Sequence, residues 1–241
     1  MTLQPAATQP RARLSRERVL EAAVALAQRD GIESLTMRKL ADELGAGAMS
    51  LYHHVGNKEE LIDGMVDIVF GEIELPSTEV DWKSAMRRRA IATRAVLNRH
   101  RWSVGLMESR RNPGPASIRL HDAVLGCLRE GGFSVETTIQ AYSVQDAYIY
   151  GFALQEKSLP FDDAEGSTKV AQHQVRQLEE AAQAEQMAAL AEEFPYLAEV
   201  VAGHVAEVGY DFTTAFEYGL DLILDALERR RDAELKSGSP L

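Results

Sequence analysis

The sequence predicts an all-α protein, with a compact N-terminal helix-turn-helix domain followed by a larger helical body. Three observations carry this. Apolar residues recur at i, i+3, i+4 spacing from Leu14 to Leu227; Gly, Pro and capping residues interrupt them at helix-length intervals; and no stretch reads as an array of strands. At 241 residues, 45% hydrophobic and 26% charged, the chain can bury a sizeable core and divide into two modules.

The elements follow in order. Ser15 stands at an N-cap position and Gly31 at a stop, and between them Val19, Leu20, Ala23, Leu26 and Ala27 repeat at helical spacing. Ile32 and Leu35 read as core plugs in the connection. Thr36 caps a second, short helix through Met37, Leu40, Ala41 and Leu44, and Gly45 ends it. A third short helix starts after Gly47, runs through His54 and stops at Gly56. Asn57 with Glu60 three residues on has the form of a capping box for a fourth helix, whose apolar face is Leu61, Met65, Ile68, Val69 and Ile73, closed by Pro76.

Two short helices joined by a glycine-containing turn and backed by a longer helix form the helix-turn-helix pattern, whose second short helix enters the DNA major groove. Leu51 and Val55, four apart, hold that helix to the core, which leaves Ser50, Tyr52, His53 and His54 facing outward. For any one of these aromatics, a half-buried ring bonded to a backbone group is the ordinary explanation; for the group, a polyanion-facing surface explains more. The adjacent histidines are no metal pair, because neighbours on a helix do not face each other and no Cys or i+4 His is near.

Charge supports this division. The chain carries a net −11, yet Arg11 to Leu61 holds eight Arg/Lys against eight Asp/Glu, so the acidic excess lies in the body. Only the front, with Arg11, Arg13, Arg16 and Arg18 leading, suits a polyanion.

The run LSRERVLEAAVALAQRDGIESLTMRKLADELGAGAMSLYHHVGNKEELIDGMVD resembles the DNA-binding domain of the TetR family of bacterial repressors, in particular its tetracycline-repressor-like branch, from Leu14 to about Ile73. A looser resemblance continues through DWKSAMRRRAIATRAVLNRH, Gly131 to Phe133 and DFTTAFEYGLDLILDALERR to that branch's helical inducer-binding and dimerisation domain. The resemblance implies an arm at 1–13, a DNA-binding domain at 14–75, a ligand-binding and dimerisation domain at 76–235 and a tail at 236–241. It implies base reading by Ala48, Met49, Ser50 and His53, and phosphate contacts by Thr36, Tyr52, His54 and Lys58, with Arg38 on the same surface. Thr36 and Lys58 also lie at helix N-termini, where free N–H groups favour an anion. Tetracycline repressors proper have Gln and Pro where Ala48 and Met49 stand here, so a different operator is expected.

The body carries helical patterns from Trp82 to His100, Arg101 to Ser109, Ala116 to Glu130, Val135 to Ser158, Lys169 to Glu193 and Phe212 to Glu234. The stretch from Ala147 to Leu154 is apolar all round, and Phe212 to Leu227 has a long apolar face, so both need cover. A monomer core would supply it. A homodimer on a palindromic operator explains it better, with Tyr148, Phe152, Phe216, Leu220, Ile223 and Leu227 at the interface. Trp102, Met107, His121, Tyr142, Gln145, Tyr148 and Phe152 are candidates for a small-molecule pocket, although any one of them alone reads more readily as core. On the family alignment, Arg89, Thr93 and Met107 replace the Asn, Phe and metal-binding His of tetracycline binders, which disfavours a magnesium–tetracycline inducer. The expected effector is a small hydrophobic molecule.

Other classes fare poorly. No G-x-S-x-G, Walker loop or H-E-x-x-H is present, so no catalytic residue, metal or cofactor is expected. The single Cys127 excludes an internal disulfide, and the Met1 start lacks an apolar secretory core, so the expected compartment is the cytoplasm, without membrane association. A helical scaffold for a protein partner is the alternative, and it leaves the Tyr52, His53, His54 cluster unexplained.

Overall fold

The computed structural model describes residues 13–110, 112–158, 191–200 and 211–237, all of it helix and connection with no strand among them. Four helices come first: α1 (Arg16–Asp30), α2 (Met37–Leu44), α3 (Ala48–Val55) and α4 (Lys58–Gly71). Then follow α5 (Trp82–Arg99), α6 (Pro115–Glu130), α7 (Val135–Ser158), the short α8 (Pro195–Val200) and α9 (Phe212–Ser237). All but Arg13 of the expected arm at 1–13, most of the helix expected from Lys169 to Glu193, and the last four residues of the expected tail at 236–241 lie outside the described residues.

The chain forms two compact units. One takes the chain up to Glu72 together with His100–Leu120; the other takes Ile73–Arg99 and the chain from His121 onward. In the first unit the expected caps are in place. The hydroxyls of Ser15 and Thr36 accept from the backbone N–H of Arg18 (3.3 Å) and Lys39 (3.1 Å), and Asn57 Oδ1 accepts from Glu60 N at 2.9 Å. Glu60 departs from the box pattern, since its carboxylate takes the Asn57 side-chain amide. Gly45 turns left-handed at φ 61° to close α2 and aim the chain into α3. Leu26, Leu35, Leu40, Leu51, Leu61 and Met65 are fully buried where α1 meets α2, α3 and α4.

Two boundaries differ from expectation. α4 stops at Gly71, five residues before Pro76. The segment Arg101 to Ser109 is not one helix but two 3-10 turns, Arg101–Ser103 and Met107–Ser109, parted at Gly105, whose φ of 90° no α-helix accommodates. This segment is tied back to α4. Arg110 bonds Asp63 and Glu59, His100 Nε2 lies 2.9 Å from a Glu72 oxygen, and Asp67 accepts from the N–H groups of Ala116 and Ser117, both at 3.0 Å, which caps α6 from outside.

In the second unit α5, α7 and α9 pack on one another. Trp82 meets Phe133 edge to face at 4.7 Å, with the Arg231 guanidinium 5.3 Å from the Trp82 ring. Tyr148 stacks on Phe216 at 5.4 Å and donates to its carbonyl at 2.9 Å, and Phe152 packs edge-on to Phe216 at 5.1 Å. On the outside, α5 is laced to α9 by Lys83 with Asp225 and Glu228 and by Arg87 with Glu217 and Asp221.

Within a single chain the six residues expected at a dimer face differ in exposure. Phe216 and Leu220 have no exposure within a single chain and belong to its core. Tyr148 and Phe152 are half-buried against α9 of the same chain, and Ile223 and Leu227 are half-buried as well. The exposed apolar row lies one helix face away. It comprises Val144 (47%), Ala147, Gly151 and Leu154 (54%) on α7, and Tyr218 (69%) and Leu222 (53%) on α9.

Candidate nucleic-acid interface and effector site

The eight residues of α3 divide cleanly by exposure. Leu51 and Val55 are buried, while Met49 (75%), Ser50, Tyr52 (41%) and His53 are exposed and Ala48 and His54 are half-buried. Two anchors on one side of so short a helix fix its roll, and the opposite side projects as a unit. Gly47 at the N-cap brings no side chain of its own to the approach.

Thr36 is the N-cap of α2 and Lys58 the first residue of α4, the helices before and after α3 in the chain. Both are exposed. The Thr36 hydroxyl accepts from Lys39 N and keeps its own hydrogen to donate, which suits a phosphate oxygen. Arg38 is exposed on α2. Lys39, by contrast, is committed to Asp30 at 2.8 Å, and Arg29 to Asp30 and Glu43; these contacts hold the Asp30 and Glu43 carboxyls below their ordinary range.

The predicted pocket residues fall into three environments. Trp102 and Met107 are buried in the first unit, on the two 3-10 turns. Tyr148 and Phe152 belong to the aromatic packing of α7 on α9 described above. His121, Tyr142 and Gln145 share a region of the second unit: the His121 and Tyr142 rings meet edge to face at 5.6 Å, and Gln145 is fully buried. Burial pushes the His121 pKa down, with Asp146 opposing and Arg89 reinforcing the shift. A separate cleft of ≈ 280 Å³, lined by Thr78, Val80, Asp81, Trp82, Cys127, Glu130 and Gly131, uses none of the predicted residues.

Sequence reasoning passed over Asp146, which pairs with buried Arg89 at 2.5 Å. The signal was present: Gln145 and Asp146 interrupt the inward face of the most apolar helix, where an unpaired polar group is costly. Among the described residues no group of three or more His, Cys, Asp or Glu could hold a metal, and no helix is long and apolar enough to cross a membrane.

Comparison with known proteins accounts for both units. Residues 19–65 match the profile of bacterial regulatory proteins of the tetR family, and residues 75–231 that of the tetracyclin repressor-like C-terminal domain. The HTH-type transcriptional repressor DrrR1 of Streptomyces coeruleorubidus is 38% identical over 60% of this chain, an alignment that spans 54% of that protein. The class A tetracycline repressor protein from transposon 1721 of Escherichia coli is 30% identical over 88% of this chain and 90% of its own. Among solved structures, ActR of Streptomyces coelicolor in complex with actinorhodin superposes with a TM-score of 0.71 at 26% identity, covering 91% of this chain and 99% of ActR. With both halves of the chain matched in order and a free recognition helix in the first, the chain belongs to the TetR family of DNA-binding transcriptional regulators.

Proposed function

We propose that the protein is a repressor that holds an inverted-repeat operator as a homodimer and releases it when a small, mostly apolar effector occupies its body. The observation that carries this reading is the exposed side of α3, turned outward by the burial of Leu51 and Val55. Ser50, Met49 and His53 face the base edges; Thr36, Tyr52, Lys58, Arg38 and His54 hold the backbone. Two copies place two such helices on successive major grooves, about one helical turn apart.

The dimer forms through the row of Val144, Ala147, Gly151 and Leu154 with Tyr218 and Leu222. The α7 residues repeat at 3-4-3 spacing, a helix-pairing period, and a Cβ built on Gly151 meets nothing within 4 Å, so a second backbone can come close there. Effector binding favours a conformation in which the two recognition helices no longer fit both half-sites, and the released affinity equals the difference in effector affinity between the two states. Two relatives are described as repressors, and ActR carries a bound small molecule, which supports the same sign and trigger here. Selection of bound sequences from a random DNA pool tests the proposal: it predicts an inverted repeat bound with steep salt dependence, and recovery of no preferred sequence would refute it.

A further inference from the structure

Among the described residues of the second unit the most confined charges are Arg89 on α5 and Asp146 on α7. The Arg89 side chain has no exposure and that of Asp146 has 8%, and a single bond, Nη2 to Oδ1 at 2.5 Å, joins them. Nε and Nη1 of Arg89 and Oδ2 of Asp146 are buried without a partner. So is Oε1 of Gln145, whose Nε2 is spent on the Ala141 carbonyl at 3.0 Å. A guanidinium and a carboxylate that pair for their own sake close fork on fork, because burying both charges is unfavourable unless their remaining donors and lone pairs are met. Here one bond forms, and it leaves unspent donors on Arg89 and an unspent acceptor on Asp146, with that of Gln145 one residue away along α7.

Charge then decides what they suit. Arg89 and Asp146 cancel, and His121, whose ring lies within the field of both, is held toward its neutral form by burial. An anion or a cation brought to the pair would leave a net buried charge; a neutral group would not. Among the helix neighbours three and four residues away, Ala85, Met86, Ala141 and Ile149 are buried and apolar or small, buried Thr93 spends its hydroxyl on the Arg89 carbonyl at 2.8 Å, and Tyr142 and Tyr150 are half-buried. We propose that Arg89, Asp146 and Gln145 form the polar anchor of the effector site and select a neutral, largely apolar molecule whose carbonyl oxygen lies beside an N–H or O–H donor. The carbonyl accepts from Arg89, and the donor turns to Asp146 Oδ2 or Gln145 Oε1. This rests on the reading of the body as the effector-binding domain.

Three isosteres on one scaffold test it by calorimetric titration of the full chain: naphthalene-2-carboxamide (acceptor and donor), methyl 2-naphthyl ketone (acceptor alone) and naphthalene-2-carboxylate (anion). The amide is expected to bind at least tenfold more tightly than the other two. That preference should vanish in the double variant Arg89→Met, Asp146→Leu, which removes both charges together so that neither is left alone in the core. Gln145→Met keeps both charges and is expected to narrow the preference for amide over ketone. Preference for the carboxylate, an unchanged amide preference in the double variant, or no binding of any of the three would overturn the proposal. Operator binding by the same samples separates the two levels: if it persists while the isosteres behave alike, the anchor alone is wrong; if the unaltered chain binds no operator, the regulator reading fails first.

Discussion

Lys58 and His53 illustrate how neighbouring residues of one surface acquire different work. Lys58 brings a full charge to a helix N-terminus, so Lys58→Ala should weaken binding to every sequence alike and lower the slope of log affinity against log salt by about one. His53 is exposed on the last turn of α3 and, on the proposed reading, meets base edges. His53→Ala should relax discrimination at one or two positions of each half-site by about 1–3 kcal/mol, with less change in salt slope than Lys58→Ala. Titration of each variant against single-base operator variants at several salt concentrations checks both. His121 carries a pH signature instead. Its folded-state pKa is depressed, so it costs nothing above the unfolded value of about 6.5 and destabilises as the pH falls through that value, where the unfolded chain takes up a proton that the folded chain refuses. The melting temperature of the unaltered protein should therefore drop between pH 7 and 5.5 more than that of His121→Phe. The depressed carboxyls of Asp30, Asp225 and Glu234 act in a separate window, below about pH 4.5.

At the scale of elements, what was legible depended on how far the deciding partner lay along the chain. Ser15, Thr36 and Asn57 cap helices through groups three residues away, and all three caps could be read directly. Leu51 and Val55 likewise settled which side of α3 turns outward. The face of α9 could not be settled this way: Phe216 and Leu220 look equally apt for a subunit core and for an interface until Tyr148 and Phe152 of α7 are seen lying on Phe216. The Arg89–Asp146 pair spans 57 residues, and neither residue announces the other. The cap of α6 was hidden for the same reason, since Asp67 lies 49 residues before the first N–H it accepts. Because Asp67 meets two free N–H groups of one helix start, Asp67→Ala should destabilise the protein by about 1–2 kcal/mol. The loss should appear as faster hydrogen exchange at the first amides of α6, while exchange within α1 stays as it was.

For the whole molecule, the decisive quantity is the apolar surface that a single chain leaves uncovered. Leu154 and Leu222 are each more than half exposed, in company with Val144 and Tyr218, and water is a poor neighbour for such a row. Sedimentation at micromolar concentration should give a dimer. Leu154→Asp with Leu222→Asp should give monomers that keep their helical content, since neither side chain belongs to the subunit core, and should weaken operator binding sharply because two half-sites are no longer held together. A dimer that survives both substitutions would place the interface elsewhere.

The stretch from His100 to Leu120 bears on how such regulators can be rewired. It follows α5 in the chain, yet it sits with the first four helices, held by Asp63, Asp67 and Glu72 of α4 and its C-cap. An engineer who grafts a foreign reading head onto this body at residue 72 would give Arg110, His100 and the start of α6 to a stranger's fourth helix. The transplantable cassette is therefore discontinuous. A chimera that also carries the donor's counterpart of 100–120, or that keeps Asp63, Asp67 and Glu72 at their places in the grafted α4, should stay inducible, whereas a graft that respects only the linear boundary should still bind its operator and respond poorly to effector.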